Sequence, residues 1–350
     1  MTLPVSIFSL ATATAEHDLD QETALTTVRE VFAGSFRDFD RMSGVFANSG
    51  ILHRQLAMPL EWYRQEHSFA ERTDIYLRVA LDLFVEAAEK ALGEAGLAAE
   101  DIDTIVTVSS TGIATPSLEA RAMARLGFRT DVTRVPVFGL GCAGGVSGLG
   151  LAAKLARIDP GSNVLFVTVE LCSLAFRGDN IDKADIISTA LFGDGAAACV
   201  VRVGDEGFVE ICGSAEKTWN DTLDIMGWKI EPSGLGVVLN RAIPTFAKQN
   251  MLAAMEEMLG PQGIALNQVD RFVCHPGGAK VVDAIETALS LNQGSLDLER
   301  DVLRDHGNMS APTALFVLNR LRRREVPPLS ILTALGPGFT ASTVTLRRAA

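Results

Sequence analysis

The 350-residue chain is 47% hydrophobic and carries a formal charge of −12, which provides for a large buried core and excludes a general nucleic-acid surface. Its five cysteines, at 142, 172, 199, 212 and 274, form no C-x-x-C pair, which argues against a structural zinc and fits reduced thiols in a cytoplasmic protein. Residues 1–15 lack a basic segment, and no run reaches the ~18 apolar residues of a membrane span, so the start is read as a core strand.

Strand and helix patterns alternate along the chain. A strand over 5–10, a helix over 21–32, a long amphipathic helix over 74–96, a buried strand over 102–109 and a helix over 117–126 come first. The apolar run Val135-Pro136-Val137-Phe138 then passes through Gly139-Leu140-Gly141-Cys142-Ala143-Gly144 into a helix over 145–158. A strand over 163–169, a helix over 183–192 and a strand over 196–203 complete a first half, placed at 1–212. The second half, 213–350, holds helices over 243–259, 279–289, 298–305 and 310–324, a strand over 271–274, and strands over 330–335 and 342–346 divided by the turn Gly336-Pro337-Gly338. Both halves carry a glycine-marked turn opening a small-residue helix, at Gly141-Cys142 and at Gly307-Asn308-Met309-Ser310, which suggests a duplication. No low-complexity linker divides them. The fold class is α/β, with helices packed on sheets.

Cys142 sits at a strand-to-helix turn, facing the positive end of a helix dipole, a position that lowers a thiol pKa and makes a nucleophile. The commoner fate of a lone cysteine is inert packing. Two later turns supply partners: His275 in Val273-Cys274-His275-Pro276-Gly277-Gly278, and Asn308 in His306-Gly307-Asn308-Met309-Ser310. Singly, such a His is a hydrogen-bonded filler and such an Asn a helix cap. Together, a Cys, a His and an Asn at three strand or loop ends fit nucleophilic catalysis. Cys274 alternates to the opposite face from His275, and Cys172 lacks a glycine turn before a helix, so neither is read as the nucleophile.

Five motifs now stand in order: Gly141-Cys142-Ala143-Gly144-Gly145, Leu191-Phe192-Gly193-Asp194-Gly195-Ala196-Ala197, His275-Pro276-Gly277-Gly278, Gly307-Asn308-Met309-Ser310 and Gly336-Pro337-Gly338. Over nearly the whole chain they resemble chalcone synthase and its bacterial relatives, the type III polyketide synthases. The resemblance implies the thiolase fold, with duplicated βαβαβαββ-type halves in layers α-β-α-β-α, a homodimer, and no cofactor or metal. It also implies decarboxylative Claisen condensation, in which an acyl-CoA starter loads onto Cys142 and is extended with malonyl-CoA. Cys142 as thiolate, paired with His275 as imidazolium, would attack the starter thioester, and His275 with Asn308 would hold the enolate oxyanion. Phe192 falls at a gatekeeper position between the CoA entrance and the chamber.

Departures from the plant pattern bear on the starter. Val237 stands where plant enzymes carry a second gatekeeper Phe, Cys172 and Ala175 stand where two chamber threonines lie, and Thr115 stands where a plant Met reaches into the partner's cavity. A wider, less polar chamber suits a long fatty acyl starter and an alkylpyrone or alkylresorcinol product. Ser310 and Arg54 join these as substrate-binding residues. Arg54 belongs to a loose basic segment with Arg37, Arg41 and His53 that would meet CoA phosphates, whereas Arg320, Arg322, Arg323 and Arg324 are read as a solvated helix end. Delivery by an acyl carrier protein stays open beside CoA. A ketoacyl synthase III-like enzyme that stops after one extension is the nearest alternative; that family typically carries His-Gln-Ala-Asn where this chain has His-Pro-Gly-Gly. An acyl-binding scaffold without catalysis is the alternative of another class.

Overall fold

The apolar residues of β1 (Val5–Thr14) point to both of its faces, so this strand must be covered on two sides. In the computed structural model, residues 3–32, 42–177 and 183–349 are described. The first unit comprises β1, β4 (Thr104–Val108), β5 (Thr133–Val137), β6 (Val164–Leu171) and β7 (Asp194–Val203), hydrogen-bonded in the order β1-β7-β6-β4-β5. Strand β4 is parallel to β5 and β6, while β7 is antiparallel to β6 and β1. The second unit repeats this plan: β8 (Val209–Thr218), β13 (Thr340–Arg348), β12 (Leu329–Gly336) and β11 (Arg271–Cys274) lie in that order, with β11 parallel to β12 and β13 antiparallel to both its neighbours. The counterpart of β5 is absent among the described residues. Two residue pairs, Ser6 with Glu210 and Ile7 with Val209, join the units into one nine-stranded sheet. Two small hairpin-like pairs stand apart, β2 (His17–Asp20) with β3 (His53–Leu56), and β9 (Met226–Glu231) with β10 (Gly234–Leu239).

The helices follow as α1 (Gln21–Phe32), α2 (Gly44–Asn48), α3 (Leu60–Tyr63), α4 (Phe69–Ala95), α5 (Leu118–Leu126), α6 (Gly144–Ile158), α7 (Lys183–Leu191), α8 (Ile243–Leu259), α9 (Ala279–Ala288), α10 (Asp297–His306) and α11 (Pro312–Arg322). Helices α6 and α11 form the middle layer, packing Val146, Leu149, Ala152, Leu315 and Leu318 against the inner faces of both units. Each buried Leu there contributes roughly 1.5–3 kcal/mol. Helices α4 and α5 cover the outer face of the first unit, and α8 and α9 that of the second. The layered α-β-α-β-α arrangement of the thiolase fold is thus present. Close approach of the two central helices needs small residues: a Cβ at Gly145 would lie 2.1 Å from the Ala311 carbonyl oxygen.

Helix α4 begins earlier than the expected 74, because Ser68 caps it: its hydroxyl accepts the Glu71 N–H at 3.2 Å while the Glu71 carboxylate accepts the Ser68 N–H at 2.8 Å.

Candidate active site

Three chain turns meet at one cavity of about 490 Å³ whose lining includes Cys142, His275 and Asn308. Cys142 occupies a 3₁₀ turn, Gly141–Ala143, that runs into α6. The residue before it must be glycine twice over, since Gly141 has φ +48° and a Cβ there would sit 2.7 Å from Pro337. The Gly141 N–H donates to the Ser110 hydroxyl at 3.1 Å, which fixes the turn. His275 continues the β11–β12 pairing, its N–H donating to the Thr333 carbonyl at 2.8 Å. Asn308 follows α10 and bridges to Phe192: its N–H donates to the Leu191 carbonyl at 2.8 Å, and the Gly193 N–H donates to the Asn308 carbonyl at 3.1 Å. The Asn308 side chain is oriented at both ends, with Nδ2 donating to the Gly277 carbonyl at 3.2 Å and Oδ1 accepting the Ser310 N–H at 2.8 Å.

Burial acts on both members of the expected ion pair. Cys142 is 9% exposed and His275 4%. Burial pushes the Cys142 thiol up to about 11, against the downward pull of hydrogen bonds from Ser310 and Asn308. Burial alone pushes His275 down to about 4, and neither of its ring nitrogens has a hydrogen-bond partner. Desolvation thus works against the charged forms of both groups and opposes the pull of the helix dipole on the thiol.

Among the other expected site residues, Cys172, Phe192, Val237 and Ser310 line the same cavity. Cys172 is buried and its thiol is pushed well above the usual range by desolvation. Cys274 packs in the second unit's outer core. Ala175 does not reach the cavity; it lies in a small separate pocket with Tyr76, Gly112 and Leu235. Thr115 is exposed on the surface, away from the cavity.

Arg54 is corrected outright as a CoA contact. Pairing of β2 with β3 turns it inward, where it is 2% exposed, and its guanidinium donates to Gln21 at 2.5 Å and to the Ala190 carbonyl at 3.0 Å. Burial lowers its pKa to about 10. It supports the Phe192 turn from beneath, in contact range of Gly193. His53 pairs with Asp18 at 3.1 Å, and Arg37 and Arg41 lie outside the described residues. Arg320 and Arg322 are held by Asp305 and Glu94, so they are not free solvated charges.

Four residues escaped the sequence reading. Arg241 and Lys280 are exposed and line the cavity, and Trp228 forms part of its wall. The fourth, Glu170, lies wholly buried at the end of β6, where desolvation pushes it up to about 8. One of its oxygens accepts the Ser110 N–H at 2.9 Å and the other has no partner. A lone charge in the apolar run Val164–Leu171 was the legible signal for it. Asp194, by contrast, is structural: its carboxylate accepts N–H groups from Ala57 and Ser173.

A buried cysteine at the head of a central helix, facing a histidine and an asparagine from the repeated unit, defines an acyl-transferring enzyme of the thiolase fold. Residues 54–205 match the family of chalcone and stilbene synthases, N-terminal domain, and residues 210–350 match its C-terminal domain. The chain belongs to this family and is a type III polyketide synthase. It is 36% identical over 350 residues to a 1,3,6,8-tetrahydroxynaphthalene synthase of Streptomyces peucetius subsp. caesius, covering 98% of this chain and 93% of that one. It is 34% identical over 351 residues to a putative chalcone synthase of Bacillus subtilis, covering 96% of each. The crystal structure of the 1,3,6,8-tetrahydroxynaphthalene synthase of Streptomyces coelicolor A3(2), a bacterial type III polyketide synthase, superposes with a TM-score of 0.93 at 26% identity over 99% of each chain. Among the described residues, no helix is long and apolar enough to cross a membrane.

Proposed function

We propose that Cys142, His275 and Asn308 are the catalytic residues of this synthase, and that its starter is a long-chain fatty acyl thioester carried to an alkylpyrone or alkylresorcinol. As the Cys142 sulfur attacks the starter carbonyl, its proton passes to His275 Nε2, and the CoA thiolate leaves and is protonated by solvent, so that His275 keeps the Nε2–H it gained. Malonyl-CoA then loses carbon dioxide; the electron pair of the broken C–C bond becomes an enolate, whose oxygen accepts from His275 Nε2–H and Asn308 Nδ2–H. The enolate carbon attacks the Cys142 thioester, the sulfur leaves, and the lengthened chain is again a CoA thioester. Exposed Arg241 and Lys280 suit the CoA phosphates, in place of Arg54. We take the working unit to be a homodimer in which Thr115 approaches the partner's cavity.

The observation that carries the starter assignment is the aliphatic share of the cavity lining, which includes Ile243, Met251, Val281, Ile285 and Leu335. A second reading, a short starter, is favoured by the bulk of Trp228 in the wall and by relatives named for tetrahydroxynaphthalene and phloroglucinol. Incubation with labelled malonyl-CoA and a panel of acyl-CoA esters, read by mass, separates them. The fatty acyl reading expects pyrones or resorcinols from lauroyl-CoA and longer esters. Small aromatic products without any added starter would support the second, good turnover of coumaroyl-CoA alone would contradict the first, and a single β-ketoacyl product would point to one-extension chemistry.

A further inference from the structure

Among the described residues, β11 lies at the edge of the nine-stranded sheet, without the outer neighbour that its counterpart β4 has in β5. At the end of β4 the Ser109 N–H donates to the Val137 carbonyl of β5 at 3.2 Å. At the end of β11 a side chain stands in for the strand. Glu299 of α10 is 0% exposed; one of its oxygens accepts the Cys274 N–H at 2.9 Å and the other pairs with Arg271 at 2.5 Å. Arg271 is itself anchored on the Ser295 carbonyl. Burial pushes the Glu299 carboxyl up, against the pull of Arg271 and the Cys274 N–H. A buried carboxylate carries a desolvation cost that only close partners offset, so what it holds matters.

Glu299 holds the residue before His275. The His275 N–H donates inward to the Thr333 carbonyl at 2.8 Å while Cys274 is tied outward to Glu299, so two successive peptides are fixed from opposite sides. Neither imidazole nitrogen has a hydrogen-bond partner, so hydrogen bonds set the ring's place only through this backbone. Glu299 also stands on the helix that delivers Asn308. That helix ends at His306, and the Gly307 N–H closes it on the Leu303 carbonyl at 2.9 Å, one residue before Asn308.

We propose that Glu299 is a positioning residue: its carboxylate replaces the missing strand at the edge of β11 and keeps the His275 imidazole in register with Asn308. This rests on the synthase reading above and adds the support that His275 needs. Glu299 touches neither substrate nor the reacting atoms; it acts through the Cys274–His275 backbone.

The test uses two double variants. Glu299→Met with Arg271→Met removes both members of the buried pair and leaves neither charge uncompensated. Glu299→Gln with Arg271→Met differs in keeping an oxygen for the Cys274 N–H. Acyl loading needs His275 near the sulfur, and decarboxylation needs it beside Asn308. The Met pair should therefore slow both half-reactions by ~10–10²-fold with little change in KM for either thioester, and the Gln pair should recover most of the loss. Glu286→Ala is the control, because Glu286 accepts the Leu296 N–H at 3.0 Å and pairs with Arg300 at 2.6 Å, at the start of α10 rather than at β11. It should lower the melting temperature and leave both half-reactions unchanged. Equal rates in the Met and Gln pairs would overturn the proposal, as would a loss in Glu286→Ala as large as that in the Met pair, or a rise in KM alone. Should the Met pair not fold, Glu299→Asp, which withdraws the oxygens by one methylene, should be slower than Glu299→Gln, and equal rates there overturn the proposal too. Hydrogen exchange at the Cys274 amide reads the clamp without turnover: faster exchange in the Met pair than in the Gln pair supports it, and equal exchange overturns it. If the native enzyme shows neither half-reaction with any thioester, the synthase assignment fails while the exchange comparison still decides the clamp.

Discussion

Burial disfavours the charged forms of Cys142 and His275, which couples attack on a thioester to movement of the thiol proton towards the imidazole. The assigned roles separate by mutation. Cys142→Ala should abolish acyl loading while malonyl-CoA decarboxylation persists, and Asn308→Ala should keep loading but slow decarboxylation by ~10²–10³-fold. Acyl adduct by mass and labelled carbon dioxide release measure the two half-reactions. Equal loss of both in Asn308→Ala would contradict its assignment to the oxyanion. Glu170 carries a pH signature of its own. Its carboxyl titrates at about 8 in the fold against an ordinary 4.5. Between those values the unfolded chain has released this proton and the folded chain has kept it, so stability falls as pH rises through the window and is unaffected below it. Glu170→Gln keeps an acceptor for Ser110 and removes that slope, so the variant should gain thermal stability over the native enzyme at pH 8 and match it more closely at pH 5. An unaltered slope would contradict the burial of an ionisable group there. Cys142, His275 and Asn308 were legible because each sits in a turn marked by glycine or proline. Arg54 misled because a cation beside His53 reads as surface charge, and only the β2–β3 pairing turns it inward.

At the scale of elements, glycine placement separates packing from propensity. Gly145→Ala drives a methyl into the Ala311 carbonyl at the crossing of α6 and α11, so it should cost about 1–3 kcal/mol and lower the melting temperature. Gly93→Ala, in α4 with no other atom within 4 Å of the added carbon, should instead gain up to ~1 kcal/mol from helix propensity. Thermal unfolding of the pair checks both signs, and a native melting temperature for Gly145→Ala would contradict the crossing. Several elements were readable to the residue from periodicity, including α1, α8 and β11. Strands β9 and β10 were not, because β9 is half-exposed or exposed along its length and glycines interrupt the alternation of β10, as in Gly234-Leu235-Gly236. That is why Val237 could be singled out from the sequence while Trp228, its cross-strand neighbour, could not.

At the scale of the molecule, the suspected duplication is written in the sheet: the same order and the same strand directions occur in both units, and the two central helices face each other across them. Two turns leading to those helices bring Cys142 and Asn308 together, with His275 supplied from the end of β11. Folding thus assembles from 142, 275 and 308 a site that no local stretch contains. The most direct test is peptide mass spectrometry after mixing the protein with an acyl-CoA and then with malonyl-CoA. The account predicts an acyl adduct on the Cys142 peptide that disappears, with release of carbon dioxide, when malonyl-CoA is added. An adduct confined to Cys172, or tight acyl binding with no adduct and no CoA release, would contradict it.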